Sequence, residues 1–311
     1  MRVGEVVAVG GLGGGGDSGG ALSLAIALRR AGVHVIVVGM VPYRLSDIRG
    51  AEKVTGALVK VSKSTRAPDR FFEPHISALG WETYALCLYE PIDSLLEGGE
   101  ALIERGVGAW VGADFGGDAI VRGDEPSVGS VVEDAVGLAV LVETTRRGNA
   151  KSLVAVGSLG AEWGGCIPME LLAENVVALN RRRAYLGAYE PRGEAKHEFL
   201  STAEFLLSRV PSFMLTVYRD ALRKRYGKHR YRVAYFKGFF TVKELHRYIY
   251  MFKARPVFEL NAFCRAALKG GVNTVFEAVQ NRSVNARQGI KDWERVLLKL
   301  AKISWDFRSI L

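Results

Sequence analysis

Short, continuously apolar runs separated by stretches of helical length constrain this chain more than any other feature. Glu5–Gly10 (EVVAVG), Val33–Gly39 (VHVIVVG), Tyr84–Tyr89, Gly108–Gly112 and Leu153–Gly157 have strand length and turn-forming neighbours. Their hydrophobicity does not alternate, which requires strands covered on both faces. Between them, Ala21–Arg30, Ile92–Arg105, Val131–Arg147 and Met169–Arg182 have helical composition, with Gly32 and Gly148 placed as stops. Strand and helix in alternation imply parallel pairing through right-handed crossovers. The expected fold is therefore α/β, a Rossmann-like doubly wound, mostly parallel sheet with helices on both faces.

This pattern breaks near Pro191 and Gly193. The expected division is a Rossmann-like ligand-binding domain over residues 1–195 and a basic, helix-rich part over 196–311, packed on the same sheet or beside it. In the second part Glu204–Arg209, Val242–Phe252, Phe258–Leu268 and an amphipathic Arg287–Trp305 are expected helices, and Arg232–Phe236 an expected strand.

Charge follows the same division. The formal net charge of +9 is the sum of −5 over residues 1–150 and +14 over the remainder. The densest block runs from Arg219 to Arg232 and includes Arg223, Lys224, Arg225, Lys228 and Arg230, with Tyr226 and Tyr231 interleaved. Basic residues with aromatics can hold phosphate backbones and stack bases. A solvated face, or a contact with the acidic half of a second copy, explains the block equally simply, and no nucleic-acid module signature accompanies it.

A composition of 49% hydrophobic and 24% charged residues excludes a mostly disordered chain. Cys87, Cys166 and Cys264 are far apart, so neither a zinc site nor a disulfide framework can be built from them. No apolar run approaches the roughly 20 residues that span a bilayer, and the N-terminus lacks the layout of a signal peptide. The expectation is a cytoplasmic protein without a membrane segment.

Three strand ends carry polar residues. After the first strand comes Gly10-Gly11-Leu12-Gly13-Gly14-Gly15-Gly16-Asp17. Its glycines satisfy the dinucleotide spacing, which in so glycine-rich a run carries little weight. The second strand ends Gly39-Met40-Val41 without the acid that would hold a ribose, which argues against NAD. The lysine of a phosphate-binding P-loop is also missing. What remains is a loop whose N–H groups at Gly13, Gly14, Gly15 and Gly16 can approach an anion at a helix N-terminus. Asp17 caps that helix or touches the ligand. After the fourth strand comes Gly112-Ala113-Asp114-Phe115-Gly116-Gly117-Asp118, followed by Arg122-Gly123-Asp124-Glu125. Four carboxylates so close raise one another's pKa unless a cation neutralises them, and oxygen-only donors suit Mg²⁺. Solvated loop acids, an ion pair with Arg122 or helix caps are the competing explanations. The third turn, Ser158–Glu162, matters mainly by position, since ligands of open parallel sheets bind beyond the carboxyl ends of the strands.

Gly13–Asp17 (GGGGD), Gly112–Glu125 (GADFGGDAIVRGDE) and the helix that follows resemble the mainly archaeal family named domain of unknown function 1152, over a span from the N-terminus to about residue 270. The family's glycine loop continues with small apolar residues where this chain has Ser18-Gly19-Gly20, and Trp163 after Glu162 is a further departure. The final helix reads as an addition. The resemblance implies no activity, but it implies that the two loops occur together and share one site.

Other residues are less informative. No two histidines have metal-ligand spacing, and His75, in Glu73-Pro74-His75, sits in a loop that could fold over the strand ends. Lys60, Lys63 and Arg66 could offer positive charge to a phosphate or simply aid solubility. The functional expectation is a small-molecule enzyme acting on a phosphorylated or nucleotide-like, anionic ligand. Gly13–Gly16 and Asp17 would contact that ligand, Asp114 and Asp118 would act as catalytic or metal-binding residues with Mg²⁺ as candidate cofactor, and Gly116, Gly117, Asp124 and Glu125 would orient it. The alternatives are a nucleic-acid-associated protein using the 219–232 block, or a non-catalytic sensor. A homo-oligomer is a candidate assembly.

Overall fold

A computed structural model describes residues 6–68, 71–233 and 235–307. Its strands are β1 Val6–Gly11, β2 Val35–Val41, β3 Glu52–Lys53, β4 Leu58–Val61, β5 Thr83–Cys87, β6 Val107–Phe115, β7 Lys151–Gly157, β8 Tyr185–Tyr189, β9 Gly227–Val233, β10 Phe236–Val242 and β11 Ile249–Lys253. The helices are α1 Gly16–Arg30, α2 Glu73–Ala78, α3 Ile92–Glu104, α4 Val131–Arg147, α5 Met169–Arg181, α6 Gly193–Leu207, α7 Phe213–Leu222, α8 Ala254–Leu260, α9 Cys264–Gln280 and α10 Trp293–Ala301.

Nine strands form one sheet in the order β3-β4-β5-β2-β1-β6-β7-β11-β8. Its centre, β5-β2-β1-β6-β7, is parallel throughout. In chain order these five strands sit third, second, first, fourth, fifth, the Rossmann-like arrangement expected from the sequence. The edges are antiparallel, with β4 on β5 and β11 between β7 and β8.

The apolar residues of β1 divide between two cores. Val7 and Val9 pack with α1, α6 and α7, whereas Val6 and Ala8 pack with α3, α4, α8 and α9. Both faces of the parallel centre are thus buried, which is why its strands read as unbroken apolar runs rather than alternating ones.

Val242–Phe252, an expected helix, instead forms the end of β10, a short turn and β11. Ile249, Tyr250, Met251 and Phe252 are all buried. A strand between two others buries alternate side chains on opposite faces of the sheet, and an apolar run this short does not by its periodicity distinguish strand from helix. The last expected helix is likewise shorter, confined to Trp293–Ala301. The expected strand Arg232–Phe236 is not one strand: β9 ends at Val233 and β10 begins at Phe236, with residue 234 outside the described residues, and the two pair as an antiparallel, separate two-stranded sheet. Among the described residues, no helix is long and apolar enough to cross a membrane.

Since β11 is hydrogen-bonded on both sides by strands from the first 195 residues, the C-terminal part and the sheet should unfold together. Met251→Ala is expected to cost about 2–5 kcal/mol. In urea, fluorescence and circular dichroism should report one common transition shifted to lower denaturant, and two separated transitions would contradict this.

Candidate functional site

The sheet order reverses between β1 and β6. From β1 the chain passes to α1 on one face, and from β6 it passes to α4 on the other. Two neighbouring strands whose connections leave on opposite sides open a crevice at their carboxyl ends. A cavity of about 530 Å³ lies there, and its lining includes the Gly13–Gly16 loop, Asp17, Asp118, Ser130, Glu133, Asp134 and Glu162. Among the described residues, no lysine, arginine or histidine lines it.

The glycine loop is shaped by its neighbours. A side chain at Gly13 would meet the Asp134 carboxylate at 2.8 Å, so only glycine lets the loop lie against that acid. Gly15 has φ +57° and open space where a side chain would be, a conformation that favours glycine. Asp17 folds back under the loop, its Oδ1 accepting from Phe115 N–H at 2.8 Å and its Oδ2 from Gly13 N–H at 3.3 Å. This carboxylate therefore ties the glycine loop of β1 to the end of β6, in addition to lining the cavity.

The aspartate loop is held by its own backbone. Asp114 Oδ1 accepts from Gly117 N–H at 3.0 Å and Oδ2 from Ala119 N–H at 2.9 Å, which fixes the turn that presents Asp118. The hydroxyl of Ser130 donates to Asp118 Oδ2 at 3.1 Å and to Glu162 Oε1 at 2.9 Å, linking the third strand-end turn to the second.

Asp114, Asp118 and Asp134 offer one oxygen each, all within 4.8 Å of one another. All three side chains are buried, and Asp134 Oδ1 has no hydrogen-bond partner. Burial is the first cause that raises the pKa of Asp17, Asp118 and Asp134 well above the ordinary carboxylate value, and the other acids add to it. Burial also lifts Asp114 to about 6, against the two N–H groups that favour its charged form. Glu162 is lifted to about 8 by burial and by Asp114 and Glu133, with Ser130 opposing. Just behind Asp17, Glu73 is pushed up to about 7 by burial, although Ser18 Oγ donates to it at 2.7 Å.

Gly13 to Gly16, Asp17, Asp114 and Asp118 thus come together as one constellation. Gly116 and Gly117 sit behind it, Gly117 donating to Asp114 and Gly116 lying against Glu162. Asp124 and Glu125 lie elsewhere. Both are in ion pairs of 2.8 Å with Arg287, from the segment before α10, and neither lines the cavity. Burial disfavours the charge of Glu125, but Arg122 N–H, the Asn175 amide and Gly123 N–H outweigh it and hold its pKa below the usual value. That pair therefore anchors the C-terminal segment to the loop. In the basic block, Arg219 and Arg223 pair with Glu204, and Arg225 lies within ion-pair distance of Asp220, so part of its charge is matched locally.

Asp134, Glu133 and Ser130 did not stand out in the sequence. Acids in the first turn of a helix are ordinary complements of its dipole, so only their coincidence with the other two strand ends marks them.

A family model described as Protein of unknown function (DUF1152) matches residues 8–294. The chain belongs to this family. The match takes in both loops, Asp134 and Glu162, and reaches beyond residue 270 to the start of α10. No curated protein and no solved structure matches the chain.

Two predictions follow from the packing and charge of these loops. Arg287→Met leaves the fully buried Glu125 without its cation and should cost about 3–5 kcal/mol in chemical denaturation. The raised pKa values of Asp114, Glu73 and Glu162 mean that the folded state binds more protons than the unfolded one between about pH 4 and 8. Stability in EDTA should therefore fall as pH rises through this window. A melting temperature that is constant or increases from pH 5.5 to 8.5 would contradict the assignment, and Glu162→Gln should flatten the upper part of the curve.

Proposed function

We propose that the cavity binds a divalent cation and a phosphorylated small molecule, and that the protein catalyses transfer or hydrolysis at that phosphate. The observation that carries this reading is the buried Asp134 carboxylate, whose Oδ1 is unpartnered and which lies within 4.8 Å of the oxygens of Asp114 and Asp118. Leaving a charge-capable oxygen buried and unpaired is costly, and a hard cation removes that cost for all three carboxylates at once. Oxygen-only donors suit a hard cation such as Mg²⁺, and these three oxygens lie close enough to converge on one ion. Asp114, Asp118 and Asp134 would hold it. Once bound, such a cation supplies charge neutralisation and polarises a phosphoryl oxygen.

Chain groups account for the remaining requirements. The hydrogen bonds within the glycine turn are Gly13 N–H to Asp17 and Asp17 N–H to the Gly14 carbonyl, which leaves Gly15 and Gly16 N–H groups at the head of α1 for phosphate oxygens. A phosphate near so many acids would be repelled, and a cation held by Asp114, Asp118 and Asp134 would offset that repulsion. Glu162 lines the cavity and shares the Ser130 hydroxyl with Asp118, so it is the group placed to exchange a proton with the reacting oxygen. Trp163, 47% exposed with its ring 5.0 Å from Tyr235, forms an aromatic wall of the same cavity and gives a flat ring such as a nucleobase a surface to stack on.

Titration calorimetry and thermal shift with Mg²⁺ test the cation. Binding is expected for the native chain and not for Asp134→Asn, which should fold normally and gain no stability from Mg²⁺. Equal stabilisation of both, or of neither, would refute the reading. Where a phosphorylated substrate is turned over, Glu162→Gln should slow phosphate release by about 100-fold or more.

A further inference from the structure

The acidic cavity has a basic neighbour. Pro68 and Pro211 line both it and a second cavity of about 600 Å³. The charged lining of the second cavity is Lys63, Arg66 and Arg209, with His75 beside them, and among the described residues no aspartate or glutamate lines it. The two arginines come from distant parts of the chain, one from the loop after β4 and the other from the turn between α6 and α7.

Neutral groups hold both guanidiniums. The Arg66 backbone pairs with that of Arg49, and its Nη1 donates to the carbonyls of Lys63 and Thr65 at 3.2 and 3.0 Å. Arg209 Nη1 donates to the Phe205 carbonyl and the Ser208 hydroxyl, each at 2.9 Å, and its guanidinium stacks 3.6 Å from the centroid of the Phe205 ring. Elsewhere arginines find carboxylates, as Arg29 does with Glu198 and Arg247 with Glu190. Arg66 and Arg209 have no such partner among the described residues, so their charge and remaining N–H donors are left for an anion, which the planar fork suits. Both act on His75, whose pKa burial lowers first and the positive fields of Arg209 and Arg66 lower further. A pair of arginines with no acidic partner among the described residues, in a concave site beside a cluster of acids, is an arrangement of opposite charges that surface solubility does not require.

We infer that the substrate carries a second anionic group, a phosphate or carboxylate, which occupies the cavity of Lys63, Arg66 and Arg209 while its reacting phosphate lies among the acids across Pro68 and Pro211. This rests on the reading of the acidic cavity given above. The substrate class is then a small molecule with two separated anionic groups.

Calorimetry at low ionic strength with three probes separates the two cavities. Inorganic phosphate without metal is expected to bind the native chain, more weakly as salt is added, and about tenfold or more weakly to the double variant Arg66→Gln, Arg209→Gln. Both side chains are exposed, so the variant should keep its melting temperature. Mg²⁺ alone should bind native chain and double variant alike. An alkanediol bisphosphate with Mg²⁺ should bind more tightly than inorganic phosphate with Mg²⁺, and lose that advantage both in the double variant and in Asp134→Asn. Phosphate binding that survives loss of the two arginines, or a bisphosphate with no advantage, overturns the inference while leaving the Mg²⁺ result intact. Absence of Mg²⁺ binding overturns the metal reading instead, and is told apart because phosphate binding to the arginines does not require the cation.

Discussion

The crevice between β1 and β6 follows from chain connectivity. Once β1 feeds α1 on one face and β6 feeds α4 on the other, no helix can cover the carboxyl ends of both strands. The backbone groups there must find other partners. Asp17 and Asp114 supply several of them, Asp17 accepting from the end of β6 and from the glycine loop that follows β1, and Asp114 from the turn that follows β6. The same carboxylates that close the loops bring negative charge to the crevice, so loop structure and site chemistry share residues.

That sharing has an electrostatic consequence. Asp17, Asp114, Asp118, Asp134 and Glu162 are all buried, and burial raises the pKa of each, with repulsion from neighbouring acids adding to it for Asp17, Asp118, Asp134 and Glu162. Protons or a cation must hold such a cluster together, and which does so depends on pH and on the ions present. By contrast, Glu125 is equally buried but is met by Arg287, Asn175 and two N–H groups, and its pKa is lowered. Glu125 is thus matched by a cation, whereas among the described residues no lysine, arginine or histidine lines the cavity beside which the other five acids lie.

Opposite charge lies close by. The acids occupy the switch point and the arginines lie past the shared prolines, so a ligand reaching from one to the other would meet a cation-loving end and an anion-loving end. The net charge of the chain conceals this, because Asp17, Asp118 and Asp134 of the acidic site and Lys63 and Arg66 of the basic one all belong to the first 150 residues, with Glu162 and Arg209 added from beyond them. The strongly basic 219–232 block lies at neither cavity.

The parallel centre of the sheet was legible in the sequence because strands buried on both faces must be apolar throughout, and the glycine and aspartate loops because few turns need so many residues of one kind. Membership of the family, with its two recurrent loops, was legible for the same reason. The identity of the residues that complete the cluster was not. Asp134 sits in the first turn of α4, where an acid is unremarkable, and Glu162 in a turn that departs from the family pattern; only the register of β6 with β1 and β7 brings them to Asp118. Asp124 and Glu125 looked like part of the site because they are near in sequence, but Arg287, more than 150 positions away, takes them. The β11 strand was hidden for a related reason, since a short apolar run becomes strand or helix according to the neighbours that hydrogen-bond it. Local chemistry thus fixed which loops carry polar groups, and long-range packing decided which of those groups are neutralised and which face the crevice.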